Sequence, residues 1–176
     1  MTEGQRSTLT GPPARPMPHA NHALVTRFYE AFGRHDADAM VACYHPDVHF
    51  EDEVFDLHGA RARAMWRMLC ASGHDLRVTA SDVRADDATG AAHWVATYTF
   101  AQTGRPVCNA VDAAFTFEDG LIRTHRDRFR FWAWSRHALG APGLLLGWTP
   151  TLRAVVARRA LRALDAYAAR HPDALR

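Results

Sequence analysis

The stretch "ALVTRFYEAFGRHDADAMVACYHPDVHFED", residues 23–52, contains the change of pattern that decides the fold. Its apolar residues first recur at the helical spacing i, i+3, i+4 and i+7, in two sets: Val25, Phe28, Tyr29 and Phe32, then Ala37, Met40, Val41 and Tyr44. Gly33 ends the first predicted helix, and Asp36 caps the second. From Val48 onward the period changes to two, which predicts that a short strand follows a helical hairpin.

The residues beyond this stretch add one more helix and four longer strands. A third helical set is Ala62, Met65, Trp66 and Leu69. Alternating runs follow at about 75–85, 90–102, 106–117 and 121–134, joined by short polar turns. The predicted order is therefore α-α-β-α-β-β-β-β, with an added C-terminal helix. We expect an α+β fold in which helices cover one face of a curved antiparallel sheet.

The two ends of the chain differ from the middle. Residues 1–21 are rich in Gly, Pro, Ser and Thr and are predicted to be disordered, whereas residues 22–137 form the domain. The extension at 138–176 includes an amphipathic helix, for which Thr149 is the cap and Pro150 the first residue. We expect this helix to pack on its own domain or on a second copy, with binding to an anionic membrane surface as the alternative, and we expect a homodimer.

Composition excludes several classes of protein. A chain of 176 residues with a net charge of +2 and no basic block is a poor match to nucleic acid, so we expect no such partner. The longest apolar segment, 138–148, is too short and too interrupted to insert across a membrane. The three cysteines lack the CxxC spacing of a zinc ribbon or a disulfide framework, which favours a cytoplasmic location.

The stretch "RTHRDRFRFW", residues 123–132, places charged groups on an apolar face. In a strand, alternation puts His125, Asp127, Phe129 and Phe131 on one side and the arginines on the other. An acid buried without partners costs several kcal/mol, so such groups either pair with one another or line a cavity.

The predicted inner face of the sheet resembles the wall of a small-molecule pocket. Its polar members are Asp52, Tyr98, Asn109, His125 and Asp127, and its aromatic members, with the third helix, are Trp66, Trp94, Phe129 and Phe131. Convergent polar groups among apolar walls are typical of ligand sites, and burial there raises the pKa of an acid. The histidines have no spacing typical of metal ligands, so we predict no metal site.

The element order and three motifs resemble the SnoaL-like and ketosteroid isomerase-like branch of the nuclear transport factor 2-like superfamily, over about residues 22–135. The motifs are residues 23–52, the hairpin "FTFEDGLI" and the strand "HRDRF". The resemblance implies a cone-shaped α+β fold with a pocket inside. It also implies that Asp127 matches the catalytic aspartate of SnoaL-like cyclases, which use no cofactor. Asp52 matches the general base of the isomerases, whose two oxyanion donors fall on Phe28 and Ala113.

The leading hypothesis is a cofactor-independent enzyme that acts on an apolar, carbonyl-bearing molecule as an isomerase, cyclase or dehydratase. Asp127 is the predicted base, His125 its partner or the acid, and Asp52 a second acid-base group. Tyr98 and Asn109 would donate hydrogen bonds to the substrate. Three alternatives stay open: a non-catalytic protein that binds a hydrophobic small molecule, a protein-interaction module, and an enzyme that opens epoxides with an arginine and two acids.

Overall fold

A computed structural model describes residues 19–175 of the chain, which combine six strands with six α-helices and a terminal 3₁₀ turn. The strands are β1 (Tyr44–Glu51), β2 (Asp56–His58), β3 (Arg77–Ala85), β4 (Thr89–Phe100), β5 (Arg105–Glu118) and β6 (Leu121–Phe129). The helices are α1 (Ala20–Gly33), α2 (Ala37–Val41), α3 (Gly59–Ser72), α4 (Phe131–Leu139), α5 (Ala141–Leu146) and α6 (Pro150–Arg170), and the 3₁₀ turn spans Pro172–Leu175. The predicted α+β fold is confirmed.

The strands form one curved, open sheet in the order β2-β1-β6-β5-β4-β3. Strands β3 to β6 are a run of antiparallel neighbours, as predicted from their short turns. Strand β1 instead pairs with β6 in parallel, so the prediction of a purely antiparallel sheet is wrong at this pair. No hairpin joins β1 to β6, and therefore no tight turn forces their directions to oppose. Strand β2, only three residues long, was not predicted.

Helices α1 and α3 cover the inner face of the sheet. Phe28 of α1 and Trp66 of α3 are fully buried and meet edge to face, with ring centroids 5.5 Å apart. Leu164 of α6 is buried in the same core. The C-terminal helix therefore packs on its own domain, which is one of the placements that the sequence left open.

The end of the last strand differs from the prediction. The strand was expected to reach residue 134, but β6 ends at Phe129 and Phe131 begins α4. Phe131, Trp134 and Ala138 have helical spacing and pack together on Val107. Phe129 and Phe131 fit the alternation of a strand, and Phe131 also fits the helical spacing of α4. For this reason the sequence wrongly predicts that Phe131 continues the sheet.

The predicted C-terminal helix is present in the described residues. The Thr149 hydroxyl accepts a hydrogen bond from the Leu152 N–H, which confirms the predicted cap of α6. The predicted disorder of residues 1–21 is wrong at Ala20 and Asn21, which begin α1, and residues 1–18 lie outside the described residues. Within residues 19–175, no helix is both long enough and apolar enough to span a bilayer.

Candidate functional site

Strand β6 presents two ionisable residues to the interior and two to solvent. His125 is 0% exposed and Asp127 is 2% exposed, and both lie on the inner face as predicted. Arg126 and Arg128 point outward, where both bind the Glu51 carboxylate at 2.7 Å. The inner face at this strand thus holds a histidine and an acid without a neighbouring arginine from β6.

A chain of hydrogen bonds runs through the buried pair. The Trp66 Nε1 donates to the Tyr44 hydroxyl at 2.7 Å, and that hydroxyl lies 2.7 Å from His125 Nδ1. His125 Nε2 lies 3.0 Å from Asp127 Oδ1, which also accepts from Trp94 Nε1 at 3.3 Å. Five side chains from four elements are thereby connected in the core.

The donors and acceptors assign a direction to this chain. The Trp66 Nε1–H can only donate a hydrogen bond, so the Tyr44 oxygen is its acceptor. The Tyr44 hydroxyl then donates to His125 Nδ1. His125 then carries its proton on Nε2 and donates it to Asp127. The opposite direction would leave the Tyr44 proton without an acceptor. Asp127 therefore accepts two hydrogen bonds at Oδ1, while no hydrogen bond from residues 19–175 reaches Oδ2.

Asp52 lies in the turn between β1 and β2 rather than within a strand. Its Oδ1 accepts hydrogen bonds from the N–H groups of Val54 and Phe55, at 2.7 and 2.5 Å. The prediction that it continues the inner face of the strand is wrong, because an aspartate readily binds the backbone ahead of it and starts a turn. Burial raises the pKa of Asp52 to about 7, the two backbone bonds oppose this, and the charge of Asp127 adds to it.

Two tyrosines of the site were missed as functional residues. Tyr44 holds His125, as described above, and Tyr29 of α1 is 4% exposed with a hydroxyl that has no partner among the described residues. Burial, followed by the charge of Asp127, raises the pKa of Tyr29 well above its usual range. The sequence predicts both tyrosines only as apolar positions of helices. For Tyr44 this is wrong, because Tyr44 begins β1. The available signal was that a buried tyrosine hydroxyl usually needs a partner.

The other predicted residues divide between two apolar clusters. Trp66 and Trp94 belong to the main core and donate to the chain of hydrogen bonds. Tyr98 is half-buried and accepts from Trp134 Nε1 of α4 at 2.8 Å. Phe131 lies inside the second cluster with Trp134, so its assignment to the wall formed by the sheet is wrong. Asn109 is half-buried on β5, opposite Ala96 of β4.

The second cluster packs α4 against Val107 of β5. Val54, Tyr98 and Phe129 are half-buried and contact both clusters, so they form a seam between the main core and α4. A surface cavity of about 410 Å³ is lined by Tyr98 of the seam and by Val107 of the second cluster. A larger cavity of about 630 Å³ lies elsewhere, between α2, the end of α3 and the C-terminal turn.

The sequence also matches a family of known proteins. The model of the SnoaL-like domain matches residues 25–125, which is more than half of the chain. The chain belongs to the SnoaL-like family. The matched segment of this SnoaL-like domain includes Tyr29, Tyr44 and Asp52 and ends at His125. Asp127 and the helices α4 to α6 lie beyond it. No curated protein sequence matches the chain.

Solved structures of several proteins share the SnoaL-like fold. A proposed polyketide cyclase from Xanthomonas campestris pv. campestris is 23% identical, with a TM-score of 0.58, and the alignment covers 68% of this chain and 96% of that one. An LEH-like epoxide hydrolase from M. tuberculosis is 22% identical, with a TM-score of 0.57 and coverages of 72% and 92%. AclR from Streptomyces galilaeus, a proposed hydroxylase, is 19% identical, with a TM-score of 0.58 and coverages of 77% and 98%.

At these identities the likeness shows the fold. It confirms the predicted cone-shaped arrangement of a curved sheet around helices, and it leaves the reaction to be argued from the site itself. The homodimer and the cytoplasmic location stay predictions.

Proposed function

We propose that this SnoaL-like protein is a small enzyme that removes a proton next to the carbonyl group of an apolar small molecule, without an organic cofactor. The observation that carries the proposal is the state of Asp127. One of its oxygens is held by His125 and Trp94, while Oδ2 accepts no hydrogen bond from the described residues. A fixed carboxylate with a free lone pair, surrounded by apolar side chains, has what a general base needs.

The hydrogen-bonded chain positions this base. His125 donates to Oδ1 through Nε2, and Tyr44 holds the other side of the imidazole ring. The ring cannot rotate without breaking one of these bonds, so Oδ2 stays aimed in one direction. In this arrangement His125 is a positioning residue that fixes the orientation of the Asp127 carboxyl group.

Asp52 is the second acid-base group. With a pKa of about 7, its carboxyl group is partly protonated at neutral pH, so it both gives and accepts protons there. Removal of a carbon-bound proton by Asp127 leaves an enolate. In an isomerisation, Asp52 gives its proton to another carbon of the conjugated system; in a ring closure, the enolate carbon bonds to a second carbonyl carbon of the same molecule and Asp52 protonates the alkoxide; in a dehydration, Asp52 protonates a hydroxyl group that leaves as water. Proton exchange with solvent then returns both acids to their starting states.

Tyr29 supplies a donor for the developing oxyanion. In the resemblance to ketosteroid isomerases, Phe28 takes the position of their oxyanion-binding tyrosine, and it has no hydroxyl group. Tyr29 is the next residue of α1, and its hydroxyl is buried without a partner. A bound carbonyl oxygen would satisfy this hydroxyl and gain stabilisation as its negative charge grows. Tyr98 and Asn109 remain further donors in the proposal.

The substrate reaches Asp127 through the seam formed by Val54, Tyr98 and Phe129. These side chains separate the main core from α4, and the 410 Å³ cavity already extends to Tyr98. Because Asp127 is 2% exposed, side chains around it have to move when the ligand enters, and in this proposal the movement occurs at the seam and at α4. The apolar body of the ligand would then lie against Trp94, Phe129 and the inner side of α4.

Hydrogen–deuterium exchange at carbon tests the proposal without knowledge of the natural substrate. The protein is incubated in D₂O with a panel of apolar ketones, and loss of the protons next to each carbonyl is followed by NMR. We expect the wild-type chain to accelerate exchange in at least one ketone. Asp127→Asn, which keeps the shape of the side chain, should lower that rate by about 10²- to 10⁴-fold.

The matched control is Asp112→Asn, because Asp112 also binds a histidine, His93, at 2.8 Å but on the exposed face of the sheet. Its exchange rate should equal that of the wild type. Exchange by Asp127→Asn at the wild-type rate would remove Asp127 from the mechanism. If the wild-type chain bound a ketone but caused no exchange, it would be a non-catalytic binding protein. If it neither bound a ketone nor caused exchange, the proposal of a small-molecule site at Asp127 would be rejected.

A further inference from the structure

We propose that His49, Asp56 and His58 form a binding site for a first-row transition-metal ion such as Zn²⁺. The three residues lie on the hairpin of β1 and β2, on the outer face of the sheet and away from the buried His125–Asp127 pair. One ligand atom from each residue lies within 4.8 Å of the other two. The proposal is independent of the function assigned to the interior.

The register of the hairpin brings the three side chains together. His49 and His58 are directly opposite each other in the antiparallel pair. Asp56 is two residues before His58 and therefore projects from the same face of β2. The two imidazole rings are stacked, with centroids 4.1 Å apart and planes 12° from parallel. Cross-strand geometry, and not a flexible loop, thus sets the positions of the donors.

The distances between the donors suit a small divalent ion. Bonds of 2.0–2.2 Å in a tetrahedral zinc site place the ligand atoms roughly 3.3 Å from one another. The Asp56 Oδ1 lies 2.8 Å from His49 Nε2 and 3.8 Å from His58 Nε2, which brackets that value. Because the two rings are stacked, the exposed His58 ring has to turn out of the stack for both nitrogen lone pairs to point at one ion. The ion then replaces the hydrogen bond between His49 Nε2 and Asp56 Oδ1.

The types of donor select the class of ion. Two imidazoles and one carboxylate favour Zn²⁺ or its neighbours Co²⁺, Ni²⁺ and Cu²⁺, whereas Mg²⁺ and Ca²⁺ prefer oxygen ligands only. Glu51 pairs with Asp56 across the hairpin, but its carboxylate is bound by Arg126 and Arg128. The site therefore has three protein ligands, and its open side faces solvent, where water completes the coordination.

A metal ion at this position would connect β2 to β1. Strand β2 has only three residues, and the turn that joins it to β1 contains Asp52. An ion held by His49 on one strand and by Asp56 and His58 on the other would close this turn. Metal binding should therefore stabilise the hairpin against local opening.

Titration with Co²⁺, a spectroscopic substitute for Zn²⁺, tests the site. The full chain is prepared without a histidine tag, freed of metal with a chelator, and titrated while visible absorption is recorded. We expect one ion per chain in the first binding step, displaced by one equivalent of Zn²⁺, and a Zn²⁺-dependent rise in melting temperature. His58→Ala and Asp56→Asn should each weaken that step by at least about 100-fold and abolish the rise.

The control variant is His93→Ala. His93 and Asp112 form another exposed cross-strand His–Asp pair, at 2.8 Å, but the described residues place no third ligand beside them. This variant should bind Co²⁺ as the wild type does. The proposal is overturned if His58→Ala and Asp56→Asn retain wild-type affinity, if His93→Ala weakens binding as much as they do, or if no first step is seen at all.

Discussion

Asp52 and Asp86 begin two turns that have the same backbone hydrogen bonds. In both, the carboxylate Oδ1 accepts from the backbone N–H groups two and three positions ahead, at 2.7 and 2.5 Å for Asp52 and at 2.9 and 2.7 Å for Asp86. In both, the aspartate N–H donates to the carbonyl oxygen three positions ahead, at 2.9 Å. One turn joins β1 to β2 and the other joins β3 to β4.

The pKa values of these two acids nevertheless shift in opposite directions. Backbone hydrogen bonds lower the pKa of Asp86, which is exposed, whereas burial raises the pKa of Asp52 to about 7 in spite of the same bonds. Local geometry therefore does not decide the chemistry of an aspartate in this fold. Its position relative to the core decides it, and only Asp52 lies beside the inner face that contains Asp127.

The largest expected effect concerns two His–Asp pairs: His125 and Asp127 are buried, whereas His93 and Asp112 are exposed. Asp127→Ala would leave the N–H groups of His125 and Trp94 buried without an acceptor, so we expect a loss of about 3–5 kcal/mol in the free energy of unfolding. Asp112→Ala removes the partner of the exposed His93 and should change it by less than about 0.5 kcal/mol. Urea denaturation measures both, and equal losses would mean that burial does not separate the two pairs.

A smaller effect concerns the dependence of stability on pH. The pKa of Asp52 is raised in the folded state, from 3.8 to about 7. Below pH 3.8 both states keep the proton, and between about pH 4 and 7 the unfolded chain loses it first. Folding stability therefore falls as the pH rises through this window and is constant above it. Asp52→Asn keeps the turn but removes this fall, so it should be more stable than the wild type at pH 8, by about 2–4 kcal/mol.

Asp86→Asn is the control for this measurement and should have the opposite sign. The lowered pKa of Asp86 stabilises the fold at neutral pH, and that contribution disappears as the pH falls through the folded-state value. The variant should thus be slightly less stable than the wild type at pH 7 and equal to it in strong acid. Urea midpoints from pH 3 to 9 would show both trends. If Asp52→Asn and Asp86→Asn behaved alike, the assignment of the Asp52 shift to burial would be wrong.

The features that could be predicted from sequence are those that depend on local periodicity. Alternation along β6 places His125 and Asp127 on the inner face, because successive side chains of a strand always point to opposite sides. Helical spacing predicts α1, α3 and α6 for the same reason. Where two local patterns coincide, the prediction is wrong, as at Phe131, which fits both a strand and the start of α4.

The features that could not be predicted depend on contacts between distant positions. Tyr44 and His125 are 81 positions apart, and the parallel pairing of β1 with β6 that brings them together has no local signature. The same holds for His49 and His58, whose contact requires the register of a hairpin whose second strand has only three residues. A carboxylate or a histidine can be recognised as out of place in a sequence, but its partners become visible only with the fold.

The smallest effect separates the two tyrosines of the interior, which are equally buried, at 4% exposure each. Tyr44→Phe removes the acceptor of Trp66 and the donor to His125, so we expect a loss of about 1–3 kcal/mol in urea denaturation. Tyr29→Phe removes a hydroxyl that has no partner among the described residues, so stability should change by less than about 1 kcal/mol or rise. If Tyr29 is the oxyanion donor, this stable variant should still exchange ketone protons more slowly than the wild type. If Tyr29→Phe exchanged ketone protons at the wild-type rate, the unpaired hydroxyl would have no part in catalysis, while the roles of Asp127 and Tyr44 would stand.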